Sequence, residues 1–389
     1  MKHRIPFNKP FTVGKEMQYI AESVRGGHTS GDGPFMKRCE GFLEQATGAE
    51  RVLLTTSCTA ALEMAGLLCD LQPGDEVIMP SYTFVSTANA VLLRGAKPVF
   101  VDIRPDTKNI DETLIEAAIT SRTRALLPVH YAGVACEMDS IMDLAAKHDL
   151  MVIEDAAQAL GSRYKGQALG TIGDLGAFSF HETKNVSCGE GGALILGRNN
   201  HVARAEILRE KGTNRAQFFR GQIDKYTWVD VGSSFISSDL LAAYLLGQLE
   251  QIPKISSRRR QIYDNYGAQL APLAAAGEII LPVVPDDCDT NHHMYHILLS
   301  DMATRTALIT HLRQLSILAV FHYVPLHTSP MGKKLGYRAG QFPVTEDIST
   351  RLLRLPFYFE LADAEQEEVT AAIISFFAGR SETSPDEKE

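Results

Sequence analysis

An α/β protein, with a large domain on a mostly parallel sheet and a smaller C-terminal α+β domain, is predicted by three features of the sequence. Between about residues 51 and 200, short apolar runs alternate with helical patterns. From Ser238 to Ala274 a long helical pattern follows, interrupted at Pro253, which has no N–H to donate and should kink or break it. Beyond residue 275 shorter strands and helices are mixed. The expected division is residues 1–250 for the large domain, 251–380 for the small one and 381–389 for a tail.

Taken in order, Arg51 to Thr56, Glu76 to Pro80, Pro98 to Ile103, Ala125 to His130 and Leu150 to Asp155 are apolar runs of strand length. Their continuity, without polar alternation, is what strands buried on both faces show. Helices are expected at Thr59 to Leu68, at Asp111 to Ile119 with its acidic first turn, and at Met138 to His148. Pro73-Gly74-Asp75 supplies a turn. In the smaller domain, strands are expected at Glu278 to Leu281, Met294 to Ser300 and Leu318 to Val324. Helices there should cover Thr304 to Leu315, Thr345 to Leu353 and Ala362 to Phe377. The last residues, Ser381 to Glu389, are polar and acidic, with too little apolar surface to offset the entropy of ordering them.

A net charge of -9 argues against a general nucleic-acid face, so any phosphate must be met locally. The six cysteines form no C-x-x-C pair, which speaks against a disulfide framework or a zinc knuckle. With no 18-residue apolar run, a cytoplasmic protein off the membrane is expected.

Chemistry concentrates at three places. The strand Leu150 to Asp155 ends in an acid followed by small residues, and strand ends of open α/β sheets are where ligands bind. An aspartate there can hold a pyridine nitrogen protonated; it can also simply cap a helix. Further on, Gly176 to Lys184 places a lysine just past a short apolar strand, before the glycine-rich Gly189-Glu190-Gly191-Gly192. A lone lysine reads as surface, but the strand, the glycines and the upstream acid together fit an imine-forming amine. Finally, Thr55 to Ala61 joins a strand to a helix and gathers hydroxyls and free N–H groups at the helix start, which suits a phosphate. Ordinary capping by Ser57 or Thr59 would use the same residues.

The segments S-C-T-A-A-L, P-S-Y-T-F-V-S-T-A-N, V-I-E-D-A-A-Q-A, G-A-F-S-F-H-E-T-K and G-E-G-G-A, in this order over nearly the whole chain, resemble the DegT/DnrJ/EryC1/StrS sugar aminotransferases. That resemblance implies PLP fold type I, the aspartate aminotransferase-like architecture, and pyridoxal 5'-phosphate (PLP) as cofactor. It makes Lys184 the Schiff-base lysine and proton shuttle, Asp155 the partner of the pyridinium, Gln158 a partner of the ring hydroxyl and Phe84 the ring-stacking residue. The phosphate would fall to Ser57, Cys58, Thr59 and Ser179. Many relatives also carry an asparagine that reaches the neighbouring subunit's cofactor phosphate; Ser234 stands at that position, with shorter reach.

By the same resemblance, the expected partners are a dTDP-linked keto sugar and L-glutamate, and the expected assembly is a homodimer or dimer of dimers with the active site at the subunit interface. Segments shared with members that aminate C4, namely I-P-F-N, G-T-N-R-A-Q-F-F-R-G-Q-I-D-K-Y-T-W and A-V-F-H-Y-V-P-L-H, imply conversion of dTDP-4-dehydro-6-deoxy-D-glucose to dTDP-4-amino-4,6-dideoxy-D-galactose. Related members aminate C3 or other nucleotide sugars. His322, Tyr323 and His327 match the part of the family that lines the sugar pocket, and Arg215 and Lys225, in a glycine-containing loop, could meet a nucleotide diphosphate or simply belong to a solvated loop.

Other readings fare worse. His292 and His296 would share a helix face as metal ligands, but Ile297-Leu298-Leu299 reads as strand, so no metal is expected. A dinucleotide-binding reductase would need a third glycine that Gly31-Asp32-Gly33-Pro34-Phe35-Met36 lacks. A PLP-dependent sugar dehydratase replaces the lysine with histidine, and a non-catalytic regulator would have no need of the full set Asp155, Gln158, Ser179 and Lys184.

Overall fold

The computed structural model describes residues 3–197 and 201–381. At its centre is a seven-stranded sheet in the order Arg51–Thr55, Gly192–Leu196, Leu175–Ser179, Met151–Asp155, Thr123–Leu126, Glu76–Pro80, Lys97–Val101. Gly192–Leu196 runs antiparallel to both its neighbours, and the pairings among the other strands are parallel. Successive residues alternate between two cores, as the strand period of two requires. Val52 and Leu54 pack on one face with Ile78, Val152 and Phe178, while Leu53 packs on the other with Val77, Ile153 and Ala177. Burial on both faces explains why these strands read as unbroken apolar runs.

One edge of the sheet, the strand Arg51–Thr55, is managed by carboxylates. Helix Pro34–Thr47 lies along Arg51–Thr55, and Glu44 and Glu40 accept from the backbone N–H of Val52 and Leu54, each at 3.0 Å. These are the edge groups that another chain would otherwise pair with. Glu40 is itself buried and also holds Arg209 at 2.6 Å and Arg51 at 3.5 Å. Glu40→Ala therefore strands a buried guanidinium and a strand N–H together, and should lower unfolding free energy by about 3 kcal/mol or more. Urea denaturation tests this, and a loss under about 1 kcal/mol would show that the pair is dispensable.

Most elements follow the sequence pattern. Glu76–Pro80 and Met138–His148 have the expected bounds, and Pro253 sits in the first turn of Ile252–Ala275, where its missing N–H costs nothing. It thus separates that helix from Asp239–Leu249 instead of kinking one long helix. Four expectations need correction. Residues 111–119 form a 3₁₀ turn, Glu112–Leu114, and a single α turn, Ile115–Ala118, because Asp111 caps the tight turn through Thr113. Around 278–281 and 318–324 there are only isolated bridges, Ile280 with Leu298 and Val320 with Arg354. The helix expected to Leu353 stops at Arg351; Leu352–Arg354 becomes a strand paired with His296–Leu298, which buries Leu352 and Leu353 completely. His296 is thus on a strand, and the two-histidine helix face does not arise.

Helices Ile252–Ala275, Met302–Gln314 and Asp363–Ser381 surround this second sheet, with Ile262, Tyr266, Leu308, Leu312 and Ile373 in a core of their own. The start of the chain packs here too: Ile5 pairs with Ile317 and is buried in that core, and the Phe7 carbonyl accepts from Phe357 N–H. The tail expected over 381–389 lies outside the described residues, except that Ser381 ends the last helix. Among the described residues, no helix is long and apolar enough to cross a membrane.

Candidate active site

Three parallel strands deliver the site at their C-terminal ends, the position where open α/β sheets bind ligands. Arg51–Thr55 leads into helix Cys58–Leu68, Met151–Asp155 ends on Asp155, and Leu175–Ser179 leads through a turn to Lys184. The antiparallel strand between two of them begins at Gly192, whose missing side chain matters: a Cβ there would fall 2.3 Å from the Cys58 nitrogen. Glycine lets the strand pass directly beneath the helix start.

These ends open into a cavity of about 840 Å³ lined by Ser57, Cys58, Thr59, Phe84, Asp155, Gln158, Ser179, Lys184, His322 and Tyr323, among others. All ten were singled out in the sequence. Ser57 caps the helix by accepting from Ala60 N–H at 3.0 Å, while the N–H groups of Cys58 and Thr59 find no acceptor among the described residues. Beside them, Thr59 and Ser86 share a hydroxyl hydrogen bond of 2.8 Å. Free N–H groups with hydroxyls at the positive end of an 11-residue helix are chemically suited to a phosphate.

Asp155 is buried, and burial pushes its carboxyl above the usual range, opposed by the Thr87 hydroxyl at 2.8 Å, the Ala157 N–H at 3.2 Å and the charge of Lys184. Lys184 is half-buried in the cavity wall, and its amine makes no hydrogen bond or ion pair with another described residue. Burial holds this amine below the ordinary lysine value, against the pull of Cys58 and Asp155. The Cys58 thiol is pushed well up by burial and stays protonated.

Gln158 is fixed at both ends, accepting from Ala132 N–H at 2.6 Å and donating to the Tyr323 hydroxyl at 3.1 Å. Tyr323 stacks on His322 with ring centroids 3.5 Å apart, and His322 meets the Tyr131 hydroxyl through Nδ1 at 2.9 Å. Burial drives the His322 and His293 rings well below the ordinary histidine value, so both are neutral at physiological pH. PLP fits these residues: a helix start suited to an anion, a buried carboxylate that could face the ring nitrogen, and an amine with no partner among the described residues line one cavity.

The remaining candidates lie elsewhere. His327 is fully buried and clamped between Ser81 at 2.6 Å and Glu346 at 2.9 Å, outside the cavity lining. Arg215, Lys225 and Ser234 are exposed on the segment after Lys211, and none lines this cavity. Sequence reasoning passed over Thr87, Ser86, Phe7, Asn8, His293 and Arg354. Thr87 and Ser86 lie within the family segment P-S-Y-T-F-V-S-T-A-N, whose hydroxyl spacing could have revealed them. Phe7 and Asn8 lie within I-P-F-N, quoted above only for its resemblance, and His293 and Arg354 carry no local signal.

Known proteins resemble this chain over nearly its whole length. The model of the DegT/DnrJ/EryC1/StrS aminotransferase family matches residues 11–374. The spore coat polysaccharide biosynthesis protein SpsC of Bacillus subtilis is 34% identical, covering 97% of this chain and 98% of its own. Spr1654 from Streptococcus pneumoniae, assigned as a sugar aminotransferase, superposes in its apo form with a TM-score of 0.90 at 28% identity, covering 98% of this chain and 100% of its own. It has also been solved in PMP and PLP forms. DesV from S. venezuelae, in complex with a ketimine intermediate, gives a TM-score of 0.85 at 32% identity, covering 93% of this chain and 94% of its own.

Proposed function

Because the chain belongs to the DegT/DnrJ/EryC1/StrS aminotransferase family and uses PLP, we propose that it transfers the amino group of L-glutamate to C4 of dTDP-4-dehydro-6-deoxy-D-glucose, giving dTDP-4-amino-4,6-dideoxy-D-galactose. The observation that carries the chemistry is the half-buried Lys184 amine, without a partner among the described residues, sharing one cavity with buried Asp155. The C4 assignment rests on the segments shared with C4-aminating members.

In this reading the helix start at Cys58 and Thr59, with Ser57 and Ser179, holds the cofactor phosphate, and Asp155 holds the ring nitrogen. Gln158, fixed by Ala132 and Tyr323, faces the ring hydroxyl, and Phe84 covers the ring. When bound, PLP supplies a ring that withdraws electrons from the carbon losing its proton. Lys184 would anchor the cofactor between turnovers, and its Nζ, when free and neutral, would take and return the proton in both halves of the reaction. Neutral His322 and the Tyr323 hydroxyl offer the sugar uncharged hydrogen-bonding groups.

The assembly in this reading is a homodimer. Phe219 is 62% exposed, Tyr226 51% and Trp228 78%, a cluster of aromatic surface that a second copy would cover. Arg215, Lys225 and Ser234 share that segment and would act on the neighbouring copy's ligands.

Absorption spectroscopy tests the reaction. Adding dTDP-4-amino-4,6-dideoxy-D-galactose to the PLP-loaded protein should convert the cofactor to its pyridoxamine form, while a 3-amino sugar should leave the visible band in place. A band discharged by the 3-amino sugar instead would reassign the position of amination. A band unchanged by either would remove dTDP deoxy sugars of both kinds.

A further inference from the structure

We infer that Arg354 is the site of the amino donor's α-carboxylate. The inference deepens the reaction proposed above and rests on its donor being an amino acid. Arg354 ends the strand Leu352–Arg354 and lines the cavity together with Lys184. Its guanidinium lies over the Phe7 ring, 4.5 Å from the centroid, and one Nη donates to the Phe321 carbonyl at 3.3 Å. Its Nε is buried with no hydrogen-bond partner among the described residues.

Among the described residues no carboxylate answers this charge. The groups acting on it, after burial itself, are the neutral hydroxyls of Tyr131, Tyr323 and Tyr82. Other arginines with little exposure are better served: Arg209 is paired with Glu40, and Arg259 donates to the carbonyls of both His292 and His293. Asp155, the buried acid of the cavity, is engaged by Thr87 and Ala157 and acts on Lys184. A guanidinium held in an apolar wall without a counterion is unfavourable unless a ligand supplies the anion. Its planar fork then matches a carboxylate with two parallel hydrogen bonds.

Position chooses between the two anions available in this reaction. Arg354 and Lys184 line one cavity, so the guanidinium faces the space in which substrate amines are exchanged. An α-amino acid carries its carboxylate on the carbon that bears the amine. A nucleotide sugar carries its diphosphate across the ring from C4. The charge is therefore placed for the donor, and the tyrosines around it leave the sugar half-reaction to uncharged groups.

The test compares the two half-reactions in wild type, Arg354→Gln and Arg354→Lys, each loaded with PLP. For Arg354→Gln, the L-glutamate concentration giving half the maximal discharge rate should rise by about thirtyfold or more. Discharge by the 4-amino sugar should change little, and Arg354→Lys should recover part of the loss. Calorimetric binding of 2-methyl-L-glutamate, which has the carboxylate but no α-proton, should weaken by a similar factor. An unchanged glutamate response, an equal loss in both arms or a loss confined to the sugar arm would overturn the assignment, the last pointing to the diphosphate. Wild-type protein inert to the 4-amino sugar but discharged by glutamate would count against the proposed acceptor alone, leaving the glutamate comparison to decide Arg354. Inertness to glutamate and to other amino acids would overturn the carboxylate site as well.

Discussion

Replacing Lys184 by alanine is expected to lower transamination by at least about a thousandfold while leaving the fold and the cofactor seat intact. The side chain stands alone in the cavity wall, so its removal breaks no hydrogen bond or ion pair with a described residue. The helix start at Cys58 and Thr59, proposed to hold the phosphate, and the carboxylate of Asp155 are built by other strands and remain. What is lost is the amine that, in the proposed reaction, would anchor the cofactor and move the proton. The variant should bind PLP without forming the covalent visible band, and dialysis should strip it faster than wild type. Lys184→Arg keeps a positive charge but supplies no such nucleophile, and should be equally inactive. Substantial turnover in either variant would remove Lys184 from the chemistry.

The same residue carries a pH signature. A protonated amine cannot attack, so loading of the apo protein with PLP should quicken as pH rises through the Lys184 pKa. Burial lowers that pKa, hence the midpoint should fall below the value of an ordinary lysine, about 10.4. Loading that quickens only above that value would mean the amine is solvated in the apo protein.

Much of this site was legible because its residues sit beside regular elements. Asp155 closes a strand, Cys58 opens a helix, and Ser179 ends a strand that leads to Lys184, so apolar runs and their neighbours located them. Parallel strands then brought three distant segments to one edge, which is a property of the topology and not of any single motif. Arg354 was illegible for the opposite reason. Within L-L-R-L-P nothing marks it; its meaning arises from Phe7, at the other end of the chain, and from the lack of a carboxylate beside it among the described residues. The apolar run at 318–324 misled in turn, since most of its backbone finds no strand partner and only Val320 bridges to Arg354. His327 looked like a pocket residue by its neighbours, yet Ser81 and Glu346 use both of its ring nitrogens.

The second large effect is expected at Asp155. Asp155→Asn keeps an oxygen and an amide where the carboxylate stood, so contacts with the Thr87 hydroxyl and the Ala157 N–H can persist and stability should change by about 1 kcal/mol or less. The charge, however, is gone. A buried carboxylate is costly unless a cation faces it, which is why burial raises its pKa in the protein alone. A protonated ring nitrogen is the cation that would relieve this cost, and in so dry a place the carboxylate in turn keeps that nitrogen protonated. Without it the ring withdraws electrons weakly, and kcat should fall by about a hundredfold to ten-thousandfold, roughly 3–5 kcal/mol of barrier. The loss should appear in kcat more than in KM, because Arg354, His322 and Tyr323, to which the proposed reaction gives the substrates, are untouched. Asp155→Glu retains the charge in a longer side chain and should recover part of the rate. An Asp155→Asn enzyme with more than about a tenth of wild-type kcat would show that the ring nitrogen is protonated by something other than Asp155, and the buried carboxylate would then need a different partner.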